Sequence, residues 1–141
     1  MNDLLDTCVL SELVKSQPDA SVLAWMAARS ESELFVSAIT LAELHRGVLR
    51  LPESKRRTEL SQWLAHLEQG FDDRVLPFTQ RAAHLWAEIT TQAEQQGKPM
   101  AAMDSIIAAT ALTHGLRLVT RNVRDFTHVG VPLLNPWQER V

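Results

Sequence analysis

The feature that most constrains this chain is an alternation along its length: short apolar, strand-prone runs are separated by longer stretches of helical period. Met1 to Asp6 is an apolar run ending in a carboxylate and reads as a first strand. Leu34-Phe35-Val36, β-branched and aromatic, suits a buried strand. Val75-Leu76 reads as a third, ending at Pro77, Leu116 to Thr120 as a fourth, and Val131 to Leu134 as one more at the edge. Between them, residues 8–15 and 19–29 read as helices parted by Ser16-Gln17-Pro18-Asp19, where the proline breaks the pattern. A helix beginning at Thr40 places Leu41, Leu44, Val48 and Leu51 on one stripe, and the next carries Leu60, Trp63, Leu64, Leu67 and Phe71. Ala82, Leu85, Trp86, Ile89 and Ala93 mark a long amphipathic helix that stops near Gly97-Lys98-Pro99. Residues 104–114 form an alanine-rich helix with Ile106 and Ile107, capped by Gly115.

Short strands alternating with helices predict an α/β fold whose mostly parallel sheet is covered on both faces. No repeat, low-complexity tract or long linker divides the chain, so residues 1–141 are expected to form one domain. In such a fold the helices run antiparallel to the strands. Strand C-terminal ends and helix N-termini therefore share one edge of the sheet, the edge where open α/β sheets bind ligands.

Composition narrows the class. With 45% hydrophobic and 22% charged residues, the chain has the balance of a globular protein. Its start, MNDLLDTCVLSEL, lacks the basic segment of a secretory signal, and no apolar run approaches the ~18 residues of a membrane helix. A lone cysteine, Cys8, cannot form an internal disulfide. These features predict a cytoplasmic protein. A net charge of −3 weighs against a protein that coats nucleic acid. It does not exclude an enzyme whose carboxylates hold a divalent metal, because the metal then supplies positive charge at the phosphate.

The acidic residues fall where this architecture binds ligands. Asp6 closes the first strand, and Glu43 lies in the first turn expected for the helix after the second. Asp104 opens the helix before the strand at 116–120, and Asn122 and Asp125 follow that strand. Convergent carboxylates repel one another and are costly to desolvate without a cation. Oxygen-only ligands suit a hard ion such as Mg2+ or Mn2+, which can activate water for phosphodiester hydrolysis.

The segments LLDTCVLSEL, SAITLAELHRG, MDSIIAATAL and LVTRNVRDF, in that order from Asp6 to Phe126, resemble the successive motifs of the PIN domain. Within that family they are most similar to the VapC-like toxins of bacterial type II toxin–antitoxin pairs, including the FitB-like branch. The resemblance implies a three-layer α/β/α fold and a Mg2+- or Mn2+-dependent endoribonuclease. It also implies a homodimer and a cognate antitoxin that blocks the active site, with operator DNA reached only through that antitoxin. Asp6, Glu43 and Asp104 fall on the family's acidic metal-site positions. The fourth such position falls on an amide, Asn122, so either Asn122 binds through its carbonyl oxygen or Asp125 supplies the missing carboxylate.

Each residue has a competing structural reading. Asp6 and Asp104 suit helix starts in any protein. Thr40-Leu41-Ala42-Glu43 fits a capping box, which would tie up the Glu43 carboxylate. Thr7 and Thr120 are placed to orient a ligand carboxylate, or simply to form turns. The histidines at 45, 66, 84, 114 and 128 show no zinc spacing, and His45 should point away from Glu43. Arg46 and Arg50, beside Gly47, are either RNA contacts or solvated charges, and Lys55-Arg56-Arg57 reads as a solvated helix face. Trp25, Trp63 and Trp86 suit core or interface positions, Trp25 and Trp63 as dimer or antitoxin contacts. The rival function is a non-catalytic PIN-like module that dimerises and supports operator binding by its partner. The aspartyl phosphatase motif D-x-D and the P-loop are absent.

Overall fold

The computed structural model describes residues 1–138; residues 139–141, the end of the domain expected over 1–141, lie outside the described residues. Strands β1 (Asp3–Leu5), β2 (Leu34–Ser37), β3 (Val75–Leu76), β4 (Arg117–Val119) and β5 (Leu133–Leu134) form one sheet in the order β3-β2-β1-β4-β5. Every pairing is parallel. Helices α1 (Thr7–Leu13), α2 (Ala20–Ala27), α3 (Ala38–Leu49), α4 (Lys55–Phe71), α5 (Gln80–Gln95) and α6 (Ala102–Thr113) connect the strands.

Strand pleat divides the interior into two cores, one on each face of the sheet. Leu5, Val36 and Val119 face a cluster built with Val9, Leu10, Val22, Trp25, Leu44, Val48, Leu64 and Phe71 from α1 to α4. Their neighbours Leu4 and Leu118 face the other cluster, with Ile89 from α5 and Ile107, Ala108 and Ala111 from α6. The alanines let α6 lie close to the sheet. The result is the expected three-layer α/β/α arrangement.

Helix ends obey local chemistry. α5 and α6 both stop in Schellman motifs. Gly97 (φ +71°) donates to the Glu94 carbonyl while Lys98 N–H reaches Ala93. Gly115 (φ +63°) donates to Leu112 while Leu116 N–H reaches Ala111, so Gly115 caps its helix as expected. At α3 the structure corrects the sequence reading. The helix begins at Ala38, not Thr40, because the Ser37 hydroxyl accepts from Ile39 N–H at 3.1 Å and acts as the cap. Thr40 is buried inside the first turn, Glu43 lies in the second turn, and the capping box does not form.

The sheet order carries the functional consequence. Connections leave β1 toward β2 on one side and return at β4 on the other, so the switch point lies between β1 and β4. The Asp6 amide donates to the Val119 carbonyl at 2.9 Å, which seats Asp6 at the mouth of that switch point.

Candidate active site

Asp6 is almost fully buried, 4% exposed, at the junction of β1 and α1. Its Oδ1 accepts from Thr7 N–H at 2.8 Å and its Oδ2 from the Thr120 hydroxyl at 2.8 Å. The Cys8 thiol lies 3.7 Å from the same Oδ2. Thr120 Oγ1 in turn accepts from the amide of Asn122 at 3.1 Å. Burial pushes the Asp6 carboxyl above its ordinary pKa; its hydrogen bonds to Thr120, Thr7 and Cys8 pull the other way, and the Asp125 charge adds to the rise.

Thr7 ties two carboxylates together. Its N–H serves Asp6, and its hydroxyl donates to Glu43 Oε1 at 2.7 Å. Because Ser37 caps α3, Glu43 is released from capping and reaches this hydroxyl from across the sheet edge. Both threonines singled out in the sequence therefore touch a candidate acid directly.

Asp104 occupies the first turn of α6, half-buried, behind an N-cap residue, Ala101, that has no side-chain acceptor. Its pKa is pushed up to about 6 by burial and then by the charges of Asp6, Asp125 and Glu43. Four carboxylates from four separate segments thus share one electrostatic neighbourhood. Among the described residues, none of the four is in an ion pair with a Lys, Arg or His.

Asn122 is exposed, and it lines a shallow cleft with Arg121, Arg124, Asp125, Asn135 and Gln138. Asp125 sits in the short 3-10 turn Val123–Asp125, and its charge acts on both Asp6 and Asp104. Of the two alternatives, Asp125 is the one that shares the acidic neighbourhood as a charge.

The donor set is all oxygen, which fits a hard divalent cation. Among the described residues no group of three or more His, Cys, Asp or Glu side chains stands arranged to hold a metal ion. A site of this kind would suit Mg2+ only with one or two carboxylates and several waters as its ligands.

Other residues flagged in the sequence lie elsewhere. His45 pairs with Glu68 at 2.8 Å, away from Glu43. Arg56 donates to the Val14 carbonyl, and Lys55 stands 3.9 Å from Glu59, so this basic run serves local structure. Trp25 is core; Trp63 is half-buried; Trp86 is 37% exposed, with its indole N–H on Ser105 Oγ at 2.8 Å. The sequence reading missed the Cys8 thiol beside Asp6 and the cap at Ser37, a residue that fits either a strand end or a helix start. It also missed the lining of the cleft next to Asp104, where Lys98, Arg124 and His128 join Asp104 and Asp125. Lys98 had been legible only as part of a helix stop.

A parallel α/β/α sheet that gathers carboxylates at its switch point has the form of a PIN-type domain, and this chain belongs to the PIN domain family, whose model matches residues 4–132. The chain is similar to VapC ribonuclease Y4jK of Sinorhizobium fredii, 41% identical over 136 residues covering 96% of this chain and 97% of that protein. It is also similar to Toxin FitB of Neisseria gonorrhoeae, 39% identical over 140 residues covering 96% of this chain and 99% of that protein. Among solved structures, FitAB bound to an IR36 DNA fragment superposes with a TM-score of 0.93 at 36% identity, covering 99% of this chain and 98% of that one.

Proposed function

We propose that this protein is a Mg2+- or Mn2+-dependent endoribonuclease, the toxin of a type II toxin–antitoxin pair, with Asp6, Glu43 and Asp104 as its principal acids. The observation that carries the reading is the convergence of four carboxylates, none with an ion-pair partner among the described residues, at the switch point of the sheet. Such a cluster is unfavourable in isolation, and a divalent cation resolves the conflict. Similarity to proteins named as a VapC ribonuclease and a FitB toxin supports RNA as the substrate.

Asp6, Glu43 and Asp104 would hold the ion together with Asp125 or the amide oxygen of Asn122. When bound, the ion would activate water and offset the charge that builds on the phosphoryl oxygens. The chain's own contribution is orientation. Thr7 N–H and the Thr120 hydroxyl fix the two oxygens of Asp6, and the Thr7 hydroxyl fixes Glu43. Asp104 retains its proton up to a pH of about 6 and is ionised, ready for a cation, at neutral pH.

Regulation in this reading comes from a cognate antitoxin that occupies the site, with a homodimeric toxin and operator DNA contacted through the antitoxin. Likeness to FitAB on a DNA fragment supports that assembly. No helix among the described residues is long and apolar enough to cross a membrane. The alternative, a non-catalytic module, is disfavoured because Asp125 keeps a fourth carboxylate at the site despite Asn122.

The test is cleavage of a total-RNA pool by purified protein freed of antitoxin, with Mg2+, with Mn2+ and with EDTA, beside an Asp6→Asn control. Discrete metal-dependent cuts that vanish in the control are expected. Absence of cutting by free, folded protein would favour the binding module instead.

A further inference from the structure

The cleft beside Asp104 has a second character. It has a volume of about 320 Å³, and its lining includes Lys98, Pro99, Asp104, Arg124, Asp125 and His128. Two carboxylates and two permanent cations thus share one small space. Yet among the described residues neither Lys98 nor Arg124 stands within ion-pair distance of an acid.

Their backbones are held in place. The Schellman bond from Lys98 N–H to the Ala93 carbonyl, at 2.8 Å, and the ring of Pro99 fix the first rim. The second rim is the turn closed by Asp125 N–H on Asn122 and Phe126 N–H on Val123, anchored by the fully buried Phe126 ring. Rims set before binding lose little freedom when a ligand arrives.

A chain of net charge −3 has no general basic field to draw in a polyanion. The acids themselves repel a phosphodiester. Local cations next to the acids add to the charge a bound metal would supply. Within the basic run at 55–57, Arg56 donates to the Val14 carbonyl and Lys55 lies near Glu59, while Arg121 in the neighbouring cleft lies over the Trp137 ring.

We infer that Lys98 and Arg124 form a clamp for the backbone of single-stranded RNA, gripping a phosphate that neighbours the scissile one. A single strand can bring one phosphate at a time to such a cleft, because its backbone is flexible. Lys98 and Arg124 act here as positioning residues. The inference rests on the nuclease reading for its catalytic consequence, and on the geometry of the cleft for RNA binding itself.

The experiment uses the full chain freed of antitoxin and a short fluorescent single-stranded oligoribonucleotide spanning a cut found in the RNA pool. Lys98→Ala and Arg124→Ala should each raise KM about fivefold with kcat nearly unchanged, and each should reduce the log–log salt slope by roughly 0.7. Lys98→Arg and Arg124→Lys should restore both values, because a phosphate contact needs charge at the rim. Arg57→Ala, in a separate cleft with Glu53 and Ser54, serves as the control and should change neither.

Unchanged KM and salt slope in the alanine variants would overturn the clamp, as would a loss confined to kcat. Anisotropy of a short single-stranded oligoribonucleotide on Asp6→Asn protein separates this failure from failure of the nuclease reading. Weaker binding by the clamp variants in that background supports the clamp even where the parent protein does not cut. Equal binding overturns it.

Discussion

Strand β1 is flanked by the same residue in opposite circumstances, Asp3 at its start and Asp6 just past its end. Asp3, at the N-terminal end, is fully buried and receives Arg117 Nε at 2.7 Å and an Arg29 terminal nitrogen at 2.7 Å. Arg29 also pairs with Glu33 at 3.2 Å and lies over the Trp25 ring. Asp6, three residues on, is nearly as buried but is met by two hydroxyl- or amide-type donors, a thiol and like charges. Both are buried aspartates, one opening β1 and the other directly following it. The first has its charge neutralised within the protein; the second meets no Lys, Arg or His in an ion pair among the described residues, and it is there that the proposed function places a cation. Burial alone does not separate a structural acid from a functional one; the identity of the neutralising partner does.

The sharpest way to break this comparison is to remove each acid and read both stability and activity. Asp3→Ala strands two arginines at a buried position and should cost about 3–5 kcal/mol of stability, a fall in melting temperature on the order of 10 °C. Asp6→Asn should do the reverse, leaving the melting temperature unchanged or raised while RNA cleavage drops by about a thousandfold or more. Paired thermal melts and initial rates decide the matter, and a strongly destabilised Asp6→Asn protein would erase the distinction.

A smaller effect concerns pH. The ordinary aspartate value is 3.8, and folding pushes Asp104 to about 6. Between those values the folded chain keeps a proton that the unfolded chain has lost. The stability this group contributes is therefore complete below pH 4 and is lost as pH rises through about 6. For a sealed group the gap would be worth about 3 kcal/mol, and solvent around a half-exposed side chain screens it to about 1 kcal/mol. Asp104→Asn should accordingly raise the metal-free melting temperature by roughly 3 °C at pH 7.5 and by nothing at pH 4. An equal gain at both pH values would show that charge repulsion is not the cause.

The smallest effect sharpens the choice at the fourth position. Asn122→Asp should tighten Mg2+ binding by about two- to fivefold, measured by calorimetry, by adding a charge at an exposed place beside the cluster. No change would point to Asp125, or to neither residue, at the fourth position.

Much of this was legible before any coordinates. Strand-prone runs at 34–36, 75–76 and 131–134 and the stripes of the helices survive as β2, β3, β5 and α3 to α5, because periodicity reflects which side chains must be buried. The edge holding Asp6 and Asp104 follows from strand and helix order alone. The start of α3 did not follow, because Ser37 and Thr40 are equally good caps in sequence. Burial of Thr40 and the position of Ser37 at the strand end chose between them.

By itself, then, the sequence determined the architecture, the parallel sheet and the set of acids at the C-terminal edge of its strands, since these depend on local periodicity and chain order. Only the tertiary structure decided which partner each acid keeps. Asp3 finds Arg29 and Arg117, Glu43 finds Thr7, Asp6 finds Thr120, and Lys98 comes to flank Asp104. Most of these partners lie tens of residues apart, and electrostatic energy depends on distance in space and on exclusion of water, neither of which is written in the spacing of residues along the chain.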